Sequence, residues 1–299
     1  MNTGDQIATC RRRFLKQAAL GVAAIGAPFS LAAAQNDRKA GDSFAFGLVA
    51  DVHYADTEPK GGRYYRDSAT KLAAAVKVFQ RENAAFVVEL GDLVNAGPSK
   101  AAELGYLKTV CGILGRYPGP KHFVLGNHCV EKLTKAEFLA ACGRDPRKTY
   151  YSFDHGSHHF VVLDADFLED GTPYGAGNFQ WTDSWIPAEE IRWLEADLAR
   201  AAGRQTVVFI HQNLHNDGNP HAVKNAPQVR KVLEEAGCAV AVFQGHMHTG
   251  GSAQIRGVAY RTLRAMVEGP GIENNAFAVV RVNKSRIDFQ PFGKMPDGC

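Results

Sequence analysis

The chain has 299 residues, 45% of them hydrophobic, and its 34 basic and 31 acidic residues give a formal net charge of +3 at pH 7. Such a near balance argues against nucleic acid as a partner, because that binding relies on many basic contacts to phosphate. The chain is long for one ordinary domain, but its length is acceptable for a single α/β core.

The first 34 residues are typical of an export signal. Cys10–Lys16 contains three consecutive arginines and precedes a mildly apolar run, Gln17–Leu31, and then three alanines. The run is shorter than the roughly 20 residues that span a bilayer, which disfavours a membrane anchor. The arginines with Phe14-Leu15-Lys16 resemble a twin-arginine signal, which addresses folded proteins to the twin-arginine export machinery. We therefore expect cleavage after Ala34 and a periplasmic or secreted protein with no stable membrane insertion.

Removal of this signal would leave the chain formally neutral. Residues 1–34 contain four basic residues and one acidic residue, so 30 of each remain. Five cysteines also remain, at positions 111, 129, 142, 238 and 299. An odd number at irregular spacing does not indicate a disulfide framework. Export after folding in the cytosol favours reduced, structural thiols.

After a linker at residues 35–43, short β-branched runs alternate with helical patterns. Strands are predicted at residues 44–50, 85–90 and 122–125, and helices at about 66–82 and 100–114. This βαβαβ order predicts a largely parallel sheet with helices on its faces.

The second half begins with a predicted hairpin, residues 150–154 with 158–164, and a loop at 165–186. A loop of that length inside a compact domain is usually functional. Further elements are predicted as a helix at 189–201, a strand at 206–210, a helix at 227–235 and a strand at 239–244. Only short β-like runs follow between residues 253 and 290, which predicts a second, mostly antiparallel sheet. We expect one domain over residues 44–299, with two packed sheets and helices outside.

Polar side chains follow five of the predicted strands. They occur as Asp51-x-His53, Gly91-Asp92, Gly126-Asn127-His128, His211 and Gly245-His246-x-His248. Ligands of open α/β sheets bind at the carboxyl ends of the strands, so these groups are expected to converge. Residues two apart in extended chain project to the same side. The glycines let the chain turn sharply as it leaves the sheet.

Carboxylates, imidazoles and one amide oxygen suit manganese, iron or zinc better than calcium. Seven candidate ligands are too many for one tetrahedral site, so the sequence predicts two divalent metal ions. A single Asp or His after a strand is more often a cap or turn residue. The prediction rests on all five motifs occurring in this order, each after a strand.

The five motifs together resemble the signature of the calcineurin-like metallophosphoesterases. The resemblance covers residues 44 to about 290 and implies a four-layer α/β/β/α sandwich of two packed mixed sheets. It also implies that the ligands of the first metal are Asp51, His53 and His248. For the second metal it implies Asn127, His211 and His246, with Asp92 bridging both ions.

A second stretch, Arg63-Tyr64-Tyr65-Arg66-Asp67-Ser68, resembles the manganese-dependent ADP-ribose/CDP-alcohol diphosphatase branch of that family. This resemblance favours manganese as the metal and implies Arg63 or Arg66 as a phosphate contact. A helix entry with two aromatic rings packed on the sheet explains the same residues equally well. Trp181, Trp185, Tyr54 and Tyr174 could form a stacking wall for a base, although core packing is the commoner role for such residues.

The implied chemistry is attack on phosphorus by a hydroxide held between two metals, with His128 protonating the leaving group. Many relatives have an Asp where this chain has Asn95, and an Asp or Glu where it has Cys129. Asn95 is expected to orient His128 without supplying charge. We expect Cys129 to pack in the interior, with a nucleophilic role as the alternative.

The sequence therefore predicts a metal-dependent phosphohydrolase acting on a small substrate: a phosphodiester, a nucleotide-type diphosphate or a phosphomonoester. A non-catalytic binding scaffold with the same fold is the alternative from another class. A secreted nuclease is disfavoured by the neutral body of the chain.

Overall fold

A computed structural model describes residues 43–201, 203–284 and 286–297 of the chain. The predicted export signal and nearly all of the linker lie outside the described residues. Across the described part, no helix is long and apolar enough to cross a membrane.

Eleven strands in the described residues form two mixed sheets. The first has the order β11-β10-β1-β2-β3 and the second the order β4-β5-β6-β7-β9-β8. The strands of the first sheet are β1 Ser43–Val49, β2 Val87–Glu89, β3 Lys121–Phe123, β10 Ala276–Asn283 and β11 Arg286–Gly293. Those of the second are β4 Tyr151–His155, β5 His158–Val162, β6 Thr206–Phe209, β7 Ala239–Gln244, β8 Thr249–Ile255 and β9 Val258–Arg264.

Helices cover the outer faces of both sheets. They are α1 Asp67–Arg81, α2 Lys100–Leu114, α3 Lys135–Ala141, α4 Ala188–Arg200 and α5 Ala226–Ala236. One buried apolar cluster joins the first sheet to α1, α2 and α3, and another joins the second sheet to α4 and α5. A third cluster holds residues of both sheets, including Phe46, Phe86 and Phe209. The layers are therefore helix, sheet, sheet, helix, which confirms the predicted four-layer fold.

Alternation along β1 explains how one strand serves two layers. Phe46 and Leu48 belong to the cluster between the sheets, whereas Ala45 and Val49 belong to the cluster under the helices. Successive side chains of a strand point to opposite faces, so a strand buried on both sides is apolar throughout. The parallel strands β1, β2 and β3 then end at the same edge.

The C-terminal part of the chain differs from its prediction. It does not build a separate antiparallel sheet, because β10 pairs antiparallel with β1 and extends the first sheet. β9 pairs parallel with β7 and extends the second sheet. Two elements were not predicted: β8 and the short helix α3, which begins with a capping box between Thr134 and Glu137. Strand pairing is a long-range choice that short β-like runs cannot reveal.

Candidate metal centre

The predicted metal-ligating side chains meet at the carboxyl ends of the central strands. The structure brings together three groups whose ligand atoms lie within 4.8 Å of one another. They are Asp51 with His53 and His248, Asp92 with His211 and His246, and His53 with Asp92 and His128. The first group contains the predicted ligands of the first metal, and the second contains His211 and His246 together with the predicted bridging residue Asp92.

The loops that carry these residues are bonded to each other through their backbones. Asp51 N donates to Gly91 O at 3.1 Å, and His53 N donates to Asp92 O at 2.8 Å. His246 N donates to the Asp51 carboxylate at 3.1 Å. The second sheet is thereby tied to the first at this edge.

The same loops hold non-glycine residues in the left-handed backbone region. Of the seven such residues in the described part of the chain, four are predicted ligands: Asp51, His53, Asp92 and His246. This conformation costs about 1–3 kcal/mol per residue and persists where the surroundings enforce it, most often at functional sites.

Two glycines allow the close packing of the ligand loops. Gly91 has a φ of +99°, and a Cβ at this position would lie 2.4 Å from His211 Nδ1. A Cβ on Gly126 would lie 2.4 Å from Asp92 Oδ1. Gly91 is therefore required by both conformation and space, whereas Gly126 is required by space alone.

Three of the predicted ligand imidazoles are oriented by a partner at Nδ1. His53 Nδ1 donates to Asn95 Oδ1 at 3.1 Å, and His211 Nδ1 donates to Leu90 O at 2.8 Å. The third imidazole, His248, has its Nδ1 2.6 Å from Glu268 Oε1. Partners of this kind select the tautomer whose Nε2 lone pair is free to bind a metal.

The Nε2 atoms that remain face each other across the site. His53 Nε2 lies 3.2 Å from His248 Nε2, and His211 Nε2 lies 3.1 Å from Asp92 Oδ2. Two nitrogen lone pairs so close together repel unless a cation or a proton lies between them. The donor set therefore fits divalent metal ions.

Asn127 supports the same conclusion. Its side chain is buried, and neither amide atom has a hydrogen-bond partner. An unpaired buried amide costs free energy unless something binds it. A metal ion at the predicted second position would accept the Oδ1 lone pair.

The carboxylates and imidazoles of the centre shift each other's pKa values. Burial raises the pKa of Asp51. Burial also acts to raise the pKa of Asp92, but His211 and its neighbours hold that pKa well below the usual range. Burial opposes protonation of His211, yet Asp92 raises its pKa to about 10. Positive charge thus stabilises the buried carboxylates. The raised pKa keeps a proton on the His211 imidazole, and a metal ion bound by neutral His211 would displace that proton.

His128 has a different partner from the one expected. Its Nδ1 pairs with Glu131, three residues further along the chain, and Asn95 lies at His53 instead. Burial opposes the charged form of His128, but Asp92 and Glu131 together raise its pKa above the usual value. The expectation that Asn95 orients His128 is therefore wrong.

Sequence reasoning missed Glu131 and Glu268. Glu131 carried one local signal, its spacing of three residues from His128, which brings the two together on a helical turn. Glu268 carried none, because it follows β9 and is 20 residues from His248.

The two arginines singled out earlier have different surroundings. Arg66 forms exposed ion pairs with Asp56 and Glu58, each at 2.6 Å. Arg63 pairs through its backbone with Glu268, and its charge acts on His53 and His128. Arg63 is therefore the better placed of the two for a phosphate contact.

Cys129 is fully buried, and burial raises the pKa of its thiol well above the usual range. A neutral thiol is a poor nucleophile, so packing explains this residue. None of the described cysteines, Cys111, Cys129, Cys142 and Cys238, forms a disulfide.

Comparison with known proteins agrees with this geometry. The profile of the calcineurin-like phosphoesterase family matches residues 44–250. The manganese-dependent ADP-ribose/CDP-alcohol diphosphatase of Oryza sativa subsp. japonica is 28% identical over 85% of this chain and 92% of that protein. The glycerophosphodiester phosphodiesterase GpdQ of Enterobacter lignolyticus is 30% identical over 62% of this chain and 64% of that protein.

A solved structure, a dimetal phosphatase from Danio rerio, superposes with a TM-score of 0.73 at 24% identity. The match covers 84% of this chain and 96% of that chain, and it shows the shared fold. The chain belongs to the calcineurin-like phosphoesterase family and is a metal-dependent phosphoester hydrolase.

Proposed function

We propose that this hydrolase cleaves the diphosphate bond of nucleotide-type substrates with manganese as its metal. The observation that carries the proposal is the pair of ligand clusters joined at Asp92. Support for the substrate class comes from similarity to ADP-ribose/CDP-alcohol diphosphatases over 85% of the chain.

Residues of the chain would act on substrate from defined positions. Asp51, His53 and His248 would hold one ion, and Asn127, His211 and His246 the other, with Asp92 between them. Two such ions lower the pKa of water and stabilise the attacking and leaving oxygens of an in-line displacement.

His128 would supply the proton for the leaving oxygen, since Glu131 and Asp92 favour its protonated form. Arg63 would contact a phosphoryl oxygen. These assignments leave the planar base of a nucleotide without a partner.

Trp181 supports a nucleotide-type substrate. It lies on the long predicted loop, 54% exposed, with its ring centroid 5.2 Å from that of His221. His221 in turn lies 6.0 Å from His246. Buried Tyr174 fixes this segment, because the carbonyl oxygens of Gln180 and Asp183 lie 2.8 and 3.0 Å from its hydroxyl and share its proton. A base stacking on Trp181 would lie beside the metal centre.

Activity assays test the reaction. We expect the purified protein with Mn²⁺ to hydrolyse ADP-ribose and CDP-glycerol faster than bis-p-nitrophenyl phosphate or p-nitrophenyl phosphate. An Asp92→Asn variant should lose at least about 100-fold in kcat, because metal ions contribute several kcal/mol to the barrier. Asp288→Asn, on β11, is the matched control and should retain activity.

Circular dichroism must show both variants folded. Turnover by Asp92→Asn at the wild-type rate would refute the role of Asp92. A metal content below about two ions per chain after reconstitution, with no turnover of any substrate, would favour the binding-scaffold alternative.

Binding of AMP and ribose 5-phosphate tests the base contact, since the two ligands differ only in the base. Stacking on an aromatic ring is worth about 1–3 kcal/mol per base, so Trp181→Ala should weaken AMP binding about 10-fold and leave ribose 5-phosphate unchanged. Isothermal titration calorimetry measures both. Equal weakening of the two ligands would exclude stacking on Trp181.

Export of the protein is a separate proposal that rests on residues 1–34. N-terminal sequencing of the protein recovered from a periplasmic or culture fraction should begin at Gln35. Replacing Arg11, Arg12 and Arg13 by lysine should retain the precursor in the cytoplasm. Export of that variant at the wild-type level would contradict a twin-arginine route.

A further inference from the structure

Two of the free cysteines lie next to each other outside the metal centre. Cys111 lies in the last turn of α2, and Cys142 immediately follows α3. Their Sγ atoms are 3.5 Å apart, although 31 residues separate them in the chain. Both are half-buried, whereas Cys129 and Cys238 are buried. A small reagent can therefore reach this pair more easily than the other described thiols.

The backbone on each side of the pair is fixed. Cys111 O accepts from Gly115 N at 2.8 Å, and Cys142 N donates to Phe138 O at 3.0 Å. Both side chains pack against the same apolar cluster. A disulfide has an S–S distance of about 2.05 Å, so the sulfurs need to approach by about 1.5 Å. A disulfide between them therefore calls for rotation of the two side chains while the helices stay in place.

The two thiols also differ in acidity. The contact with Cys142 lowers the pKa of Cys111, and the contact with Cys111 raises the pKa of Cys142. Cys111 is thus the better nucleophile of the two, because the thiolate is the reactive form.

We propose that Cys111 and Cys142 are a disulfide-forming pair that is oxidised by thiol–disulfide exchange. Cys111 thiolate attacks a disulfide oxidant, either a small-molecule disulfide or a thiol oxidoreductase, and releases one thiol of the oxidant. The Cys142 thiolate then attacks the Cys111 sulfur and releases the second thiol. The pair loses two electrons and two protons, and the oxidant's disulfide is reduced to two thiols.

A disulfide between Cys111 and Cys142 would enclose a segment of the candidate metal centre. The closed loop runs from residue 111 to residue 142 and contains β3, Asn127, His128 and Glu131. Closing a loop of this length restricts the unfolded chain and stabilises the folded state. The segment that carries Asn127 and His128 becomes tethered at both ends. A protein that folds in the cytosol before export would carry this pair as thiols, and an oxidising compartment reached after export would then favour the disulfide.

Incubation of the full-length protein with oxidised glutathione tests the proposal. We expect a mass decrease of about 2 Da, the loss of two reactive thiols and a peptide that joins residues 111 and 142. The melting temperature should rise by about 5–10 °C and return on reduction with dithiothreitol. Cys111→Ser and Cys142→Ser should each abolish the mass change and the shift.

Cys238→Ser is the matched control and should show both changes. A protein that keeps both thiols reduced under conditions that oxidise a model dithiol would overturn the proposal. So would a crosslinked peptide between any other two cysteines. These outcomes are independent of substrate hydrolysis, so they do not depend on the proposed reaction.

Discussion

Two neighbouring buried polar clusters balance charge in different ways. The metal centre combines Asp51 and Asp92 with imidazoles. The other, here called the lysine cluster, consists of Lys135, Asp164, Asp166 and Glu190. Gln212, adjacent to the predicted ligand His211, donates to Asp166 Oδ1 at 2.6 Å and connects the two.

The lysine cluster limits its negative charge through one ion pair and through two carboxyl groups whose pKa values are raised. Lys135 Nζ lies 2.6 Å from Asp164 Oδ2, with side-chain exposures of 7% and 0%. Burial raises the pKa of Asp166 to about 7, and burial also raises that of Glu190 well above its usual range. Neither Asp166 Oδ2 nor Glu190 Oε2 has a hydrogen-bond partner.

Both clusters are buried, so burial alone does not make a metal site. In the metal centre, imidazoles held at Nδ1 place their Nε2 atoms beside the carboxylates. In the lysine cluster, an ammonium group already occupies the position opposite Asp164.

Replacing Lys135 by methionine should destabilise the protein by about 3–5 kcal/mol, because Asp164 is left buried without its counter-charge. Urea unfolding at pH 7 with Mn²⁺ measures this loss. Metal analysis should still find two ions per chain. The control is Lys100→Met, whose exposed pair with Glu137 is worth less than about 1 kcal/mol. Equal effects of the two substitutions would contradict the contrast.

Removing a partner of a ligand imidazole should weaken metal binding while leaving the fold intact. Asn95→Ala and Glu268→Ala are each expected to lower Mn²⁺ affinity about 10- to 100-fold, since they orient His53 and His248. Competition with a fluorescent chelator measures the affinity. Glu195→Ala, on the outer face of α4, should bind metal like the wild type. Unchanged affinity in both site variants would show that the imidazoles orient themselves.

Replacing Asp166 by asparagine should alter how stability depends on pH. The raised pKa means that folded Asp166 keeps its proton up to about pH 7, whereas the unfolded group loses it near pH 3.8. Its contribution to stability is therefore lost as pH rises through 7. The advantage of Asp166→Asn over wild type should grow by at most about 1.4 kcal/mol per pH unit between pH 5 and 7.

Urea unfolding at pH 5, 6, 7 and 8 provides the comparison. The control is Asp170→Asn, because hydrogen bonds from Thr172 hold the pKa of Asp170 below its usual value and outside this range. Parallel pH profiles for wild type and Asp166→Asn would contradict the protonated state.

The approximate positions of the central strands, and the Asp, His and Asn residues that follow them, could be predicted from the sequence. Each predicted ligand lies two to four residues beyond the end of a strand, and the carboxyl ends of parallel strands meet at one edge of a sheet. That rule needs only local patterns, which is why the convergence of these residues was predictable. The central strands and the long helices were predictable for the same reason, since their periodicity is continuous.

The groups that hydrogen-bond to those imidazoles became visible only in the three-dimensional structure. Glu268 reaches His248 because β9 joins the second sheet beside β7, and Asn95 reaches His53 because two loops bond to each other. The contact between Cys111 and Cys142 and the exposure of Trp181 were likewise invisible in the chain. Such contacts depend on how distant segments pack, and no local pattern of residues records that choice.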